Sequence, residues 1–406
     1  MIVNPGVDAD GRRKRRLTLA ACCGVHGVQD GLSAAFYVIL PTLAEAFGLT
    51  YAQVGIMRAV KNIAMALFEL PSGMLSERLG ERSLLVFGLF CAGSGYIALA
   101  FAPGIVAIAL CMFVIGFGGA FQHALSSSII SNTIKGTGSR TALGTFNSAG
   151  DIGKLSFTAF YSLAIGAGLA WQGVVAGFGI TALVGAFVLY FILRHLRAGF
   201  RPDLGSHTES AGARVGWGIR DRTGFSALVV IVFLDIAVQS GFLTFLAFLM
   251  LEKQVPVGLA AFAVVLTLAG GIFGKIGCGY LADRIGVRPS LIVAEILTAA
   301  GIVAILYSPT LVAFLLLPMV GLALQGSSSI TYATVSDLVR SERRSRGFGV
   351  IYTIASAGSI VGPIAFGVIG DEFGLAPAML SMAVIVLLPL PLSFLLRPAV
   401  APKYAS

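Results

Sequence analysis

The chain has 406 residues, of which 57% are hydrophobic and 12% charged, with a mean hydropathy of +0.91 and a formal net charge of +9. Soluble domains carry about 25% charged and about 45–50% apolar residues, so a soluble enzyme, a secreted disulfide scaffold and a disordered chain are excluded. The apolar residues arrive in runs of roughly 20, enough to cross a hydrocarbon core about 30 Å thick, and the sequence reads as an integral membrane protein.

In chain order, a basic tail (residues 1–16) leads to apolar runs near 17–41, 51–71, 84–102, 104–130, 141–168 and 172–193. A polar, basic connection (194–222) follows, and then runs near 224–249, 257–280, 289–307, 310–334, 347–370 and 375–396. The runs are continuous rather than short and alternating, so the spans are helices and not barrel strands. Asp30 inside the first run, with no small-residue cleavage site after it, marks a first span rather than a cleaved signal. The five cysteines lie in or beside spans and read as packing thiols.

Lys and Arg cluster in the N-terminal tail, in alternate loops, in 194–222 and after the last span, whereas Lys253 stands alone on the opposite face. The positive-inside rule then puts both termini in the cytoplasm of an inner (plasma) membrane protein. The same distribution accounts for the net charge through topology and anionic lipid headgroups, without nucleic acid as a partner. The expected fold class is all-α, with twelve transmembrane helices in two pseudo-symmetric six-helix bundles. The bundles are residues 17–193 and 223–397, flanked by the 1–16 and 398–406 tails.

The two halves repeat each other. Gly73-Met74-Leu75-Ser76-Glu77-Arg78-Leu79-Gly80-Glu81-Arg82 follows span two, and Gly279-Tyr280-Leu281-Ala282-Asp283-Arg284-Ile285-Gly286-Val287-Arg288 follows span eight. This doubled pattern resembles the signature loop of the major facilitator superfamily. The resemblance implies a secondary transporter, not an enzyme, in which Gly73, Glu77, Arg78, Gly80, Gly279, Asp283, Arg284 and Gly286 latch one access state. Physically, the glycines would permit close helix approach and a tight turn. The acids would accept from helix N-terminal amides or from Arg.

His26-Gly27-Val28-Gln29-Asp30, the run from Phe47 to Gly55, and Phe121-Gln122-His123 resemble the fosmidomycin-resistance branch, which implies proton-driven efflux. That branch reads His-Pro-Glu in span four. Here His123-Ala124-Leu125 stands instead, so neither the proline kink nor the carboxylate carries over.

Nine ionisable side chains fall inside spans: Asp30, Arg58, Lys61, Glu69, Asp151, Lys154, Asp235, Lys275 and Glu295. Each costs roughly 2.5–3.5 kcal/mol at a helix centre, so nine unpaired would exceed a typical folding stability of about 5–15 kcal/mol. They must pair, neutralise or face water. Helical spacing and depth put Asp30 beside Lys61, pair Asp151 with Lys154 or Lys275, and leave Glu295 as a snorkelling surface acid. Glu69 and Lys275, at equivalent places in the repeat, read as an interface latch. The expected proton-coupling residues are His26 and Asp30.

The expected substrate-binding residues are Arg58, Lys61, Asn62, Gln122, His123, Asp151 and Lys154 in the first half. Asp235, Gln239, Gln325 and Tyr352 are their counterparts in the second. The partners expected are a small anionic or amphiphilic solute, protons and membrane lipid, with the protein acting as a monomer. No cofactor and no resident metal are expected. A transition metal as cargo, with Cys22, His26, Asp30 and His123 as ligands, and a non-transporting receptor remain alternatives.

Overall fold

The computed structural model describes residues 5–134, 138–199, 219–340 and 344–396, and the side chains of 5–10, 77, 138–141, 336 and 344–346 lie outside the described set. The carboxylate of Glu77, the bases Lys135, Arg140 and Arg346, most of the 194–222 connection and the 398–406 tail therefore fall outside it.

Fourteen helical segments make up the described chain. The first half holds α1 (Pro5–Phe47), α2 (Tyr51–Leu79), α3 (Glu81–Ala100), α4 (Ile105–Gly119), α5 (His123–Thr133), α6 (Gly138–Gly166) and α7 (Trp171–His195). The second holds α8 (Arg222–Glu252), α9 (Val257–Ile285), α10 (Val287–Tyr307), α11 (Thr310–Leu338), α12 (Arg344–Phe373), α13 (Leu375–Ile385) and α14 (Pro389–Ser393). Spans four and twelve are each split in two, as α4–α5 and α13–α14. The basic stretch Arg12–Arg16 is helical and exposed, within the N-terminal part of α1.

Among the described residues, nine helices are long and apolar enough to cross a membrane. The long helices that fall short are α1, α2 and α6, and they carry His26, Asp30, Arg58, Lys61, Glu69, Asp151 and Lys154. The polar content of the chain is thus concentrated on three helices rather than spread evenly.

Two compact units emerge: Met1–Phe36 with Val60–Thr208, and Tyr37–Ala59 with Glu209–Ser406. The tip joining α1 and α2 therefore groups with the second half of the sequence. In the first unit, Phe36, Tyr96, Phe146 and Tyr161 are fully buried, and the Tyr96 hydroxyl donates to the Leu32 carbonyl. The second unit has an apolar core that includes Leu228, Ile231, Leu291, Ile330 and Ile351.

The two repeat loops turn alike. Gly80 (φ 79°) and Gly286 (φ 94°) adopt the left-handed region at the starts of α3 and α10, where a side chain would be strained. Gly73 and Gly279 behave otherwise. Open space surrounds the place where a Cβ would stand, so no close helix approach explains them. Arg78 and Asp283 are exposed, and Arg284 lies 5.0 Å over the Tyr280 ring.

At the tip, Thr50 and Gln53 form a reciprocal capping box at the start of α2: Thr50 N–H donates to Gln53 Oε1 at 3.0 Å and Gln53 N–H to Thr50 Oγ1 at 3.3 Å. Asp371 of α12 receives the next two amides, from Tyr51 at 2.7 Å and Ala52 at 3.0 Å. The Tyr51 hydroxyl donates to Glu252 at 3.0 Å, and its ring sits edge-on to Phe245 and Phe248. A carboxylate on the first amides of a helix complements the positive end of its dipole.

Candidate functional site

The first unit gathers the charged residues of α1, α5 and α6 into one cluster. Asp30 is its centre, 7% exposed. The Lys154 ammonium lies 3.0 Å from Asp30 Oδ2 and 3.1 Å from Asp151 Oδ1, bridging carboxylates of α1 and α6. His123 Nε2 stands 3.6 Å from Asp30 Oδ1, and His26 Nε2 stands 3.8 Å from Asp30 Oδ2. The expected Asp151–Lys154 pair is present. The expected Asp30–Lys61 pair is not: Lys154 holds Asp30, and the Lys61 ammonium donates to Ser33.

Backbone geometry explains how Lys154 reaches Asp30. Gly153 of α6 packs on Gly27 of α1 so closely that a Cβ there would lie 1.9 Å from the Gly27 carbonyl oxygen. One turn earlier, a Cβ on Gly150 would stand 2.3 Å from His26 Nε2 and 2.8 Å from Asp30 Oδ2. Small residues let the two backbones touch, and the i, i+4 step on α1 stacks His26 and Asp30 toward that contact.

Span four contributes through a break. The ladder changes from i−4 to i−3 bonds over Ala120–Gln122, with Phe121 N–H reaching Gly118 O at 3.5 Å and Gln122 N–H reaching Gly119 O at 3.2 Å. The Ser72 hydroxyl donates to the Ala120 carbonyl at 3.0 Å. The span therefore bends where the resembling branch has proline, although proline is absent. A run of Gly116, Gly118 and Gly119 and an external donor for the carbonyl supply what the ring would have forced. Beyond the break, Gln122 Nε2 meets His26 Nδ1 at 2.8 Å. With the amide donating, Nδ1 accepts and the ring proton sits on Nε2, the nitrogen nearer Asp30.

Aromatic and hydroxyl neighbours complete the cluster, and residue counting did not single them out. Phe146 stacks on His26 with ring centroids 4.0 Å apart. His26 is almost fully buried, whereas the His123 side chain is 41% exposed, which makes His123 the accessible edge of the cluster. Asn62 is buried on α2 one residue beyond Lys61. Arg58 groups with the other unit, its guanidinium 3.9 Å over the Tyr37 ring, a cation–π contact.

His26, Asp30 and His123 offer ligand atoms within 4.8 Å of one another, which is compatible with a metal ion. The Lys154 ammonium already occupies the same carboxylate and would repel a cation.

The second unit's expected residues are not gathered in this way. Gln239 Nε2 donates to the Leu324 carbonyl at 3.0 Å, and Gln325 Nε2 to the Thr267 carbonyl at 3.4 Å, so both amides tie neighbouring helices together. Tyr352 is 55% exposed beside Tyr332. Asp235 is buried and accepts from Ser327. Glu295, expected at the surface, is 1% exposed inside the unit. It lies two turns into α10 on the face that carries Leu291 and Thr298, too far from the helix end to snorkel.

Membrane-spanning helices in two compact units, with a charged cluster buried in one, define a multi-pass membrane carrier. The Major Facilitator Superfamily model matches residues 23–234 and 228–405, and the chain belongs to that family. It is 26% identical over 385 residues to the "Probable 4-methylmuconolactone transporter" of Cupriavidus pinatubonensis, covering 91% of this chain and 87% of that one. It is 25% identical over 371 residues to the 3-(3-hydroxy-phenyl)propionate transporter of Escherichia coli, covering 87% of each. In fold it is similar to a bacterial homologue of the human lysosomal transporter Spinster, solved inward-facing and unoccupied. That likeness has a TM-score of 0.82 at 17% identity, over 95% of this chain and 98% of that one.

Proposed function

We propose that the protein is a proton-coupled secondary transporter that moves a small organic anion across the inner membrane by alternating access, with both termini in the cytoplasm. The observation that carries this reading is the Lys154 ammonium bridging Asp30 and Asp151 beside two imidazoles. An anion entering the cluster competes with the carboxylates for Lys154 and Lys61. A proton arriving on Asp30 or His26 loosens the same bridge. One ion pair thus answers to both ligands, which is what coupling requires.

The carboxylate in the substrate for which the Escherichia coli relative is named supports the choice of an anion. Arg58, held over Tyr37, and Asn62 are assigned supporting roles in anion attraction. The fosmidomycin-resistance likeness is kept as a pointer toward efflux.

The test is transport in proteoliposomes with an imposed pH gradient, using a panel of aryl and alkyl carboxylates against neutral amides of the same skeletons. Carboxylate-selective, gradient-driven flux that disappears in K154M is expected. Equal flux of acids and amides, or flux indifferent to the gradient, overturns the reading. A second reading, a transition metal as cargo, rests on the His26–Asp30–His123 geometry. It predicts metal-dependent flux that is lost in H123A and enhanced in K154M.

A further inference from the structure

The second unit buries two acids that the transport reading leaves unused. Asp235 on α8 and Glu295 on α10 are each 1% exposed. Both oxygens of Asp235 face the Ser327 hydroxyl of α11, at 2.8 and 2.9 Å, and that hydroxyl also faces the Leu324 carbonyl at 3.1 Å. A hydroxyl has one proton to donate, so three acceptors compete for it. Neither oxygen of Glu295 meets a hydrogen-bond donor among the described residues. The hydroxyl of Thr298, one turn along the same helix and 0% exposed, is also without a partner.

Among the described residues, the ionisable groups that interact within this cluster are all acids. Asp235 is the charged group that acts on Glu295. Cys278 of α9 stands within the field of Glu295, Tyr332 of α11 within that of Asp235, and Tyr352 of α12 lies beyond Tyr332. Lys275, the cation of α9 one turn before Cys278, makes no ion pair with either acid, and among the described residues no Lys, Arg or His does. A lone carboxylate in a medium of low dielectric costs tens of kcal/mol by solvation alone, and two that repel each other cost more. Unlike Asp30, this pair has no ammonium among the described residues to offset that cost.

We propose that Asp235 and Glu295 form a second protonation site, a carboxyl pair that holds a proton within the second unit. The proton supplies the donor that Glu295, Asp235 and Ser327 lack between them. It removes one of the two like charges, and it gives the Thr298 hydroxyl and the Glu295 carboxyl a reason to share one buried face. The site belongs to the second unit, and the Lys154 bridge to the first. The protein therefore carries proton-binding chemistry in both units, of which only one is available to an anion.

Infrared difference spectroscopy on the full-length protein in lipid vesicles at neutral pH tests this without any substrate, so failure of the transport reading does not touch it. A C=O stretch of a protonated carboxyl is expected in the wild type. It is expected to persist in D30N and to lose one carboxyl's intensity in E295Q or D235N. Should either variant fail to fold, S327A keeps both acids and removes only the donor, and it is expected to move the band to higher frequency. Absence of a protonated-carboxyl band in the wild type overturns the proposal. So does a band unchanged in all three variants, or one abolished by sodium ions at constant pH, which would mark a metal-cation site instead.

Discussion

The two units meet the same problem, ionisable groups inside a membrane protein, in opposite ways. In the first, Asp30 and Asp151 share an ammonium and Asp30 has two imidazoles beside it. In the second, Asp235 and Glu295 have, among the described residues, a single hydroxyl and each other. A repeated fold has therefore kept helix order and loop geometry, down to the paired glycines at Gly80 and Gly286, while its buried chemistry diverged. On the proposed reading, charge pairing would make the first unit responsive to anions, and charge avoidance would leave the second responsive to protons.

The sharpest way to break this comparison is to unpair one side of it. K154M should lower stability by about 2–4 kcal/mol, because it leaves buried Asp30 and half-buried Asp151 without their cation, and should abolish transport. Thermal unfolding in detergent and flux in vesicles measure the two effects. The D30N/K154M double variant should regain part of that stability and none of the transport, separating packing from function. If the double variant transports, the bridge is structural only.

G150A is expected to cost about 1–3 kcal/mol, since the new Cβ would meet His26 and Asp30 and force α1 and α6 apart. G144A, on the same helix where a Cβ meets open space, serves as its control and should be near neutral. At the tip, D371A removes the acceptor for the Tyr51 and Ala52 amides and should cost about 1 kcal/mol, detectable as faster hydrogen exchange at the start of α2. E295Q should change stability by less than about 1 kcal/mol if the proton of the proposed pair resides on Glu295, because an amide then replaces a neutral carboxyl. A loss as large as that of K154M would mean that Glu295 is ionised, and the contrast between the units would collapse.

Much of this was legible in the sequence. Apolar run lengths give the spans, the doubled motif gives the repeat, and the four-residue step on α1 aligns His26 with Asp30. The partner of Asp30 was not legible. Depth counted along straight helices favours Lys61, whereas the Gly27–Gly153 contact brings α6 close enough for Lys154 to take its place. The bend before His123 was equally hidden, because it comes from a glycine run and a Ser72 hydroxyl and not from a proline. Glu295 misled for a similar reason. Its distance from the span's edge is readable, but the face of α10 on which it lies depends on neighbours that no single-helix pattern encodes.

The tip of residues 37–59 has a consequence for how the protein can be taken apart. Cutting the chain within 194–222 separates the sequence repeats but not the compact units, because the first fragment would carry away a helical hairpin that groups with the second. That hairpin brings Tyr51, whose amide and hydroxyl engage Asp371 and Glu252. Two separately expressed halves are therefore expected to recognise each other on coexpression, with the hairpin acting as a built-in affinity handle.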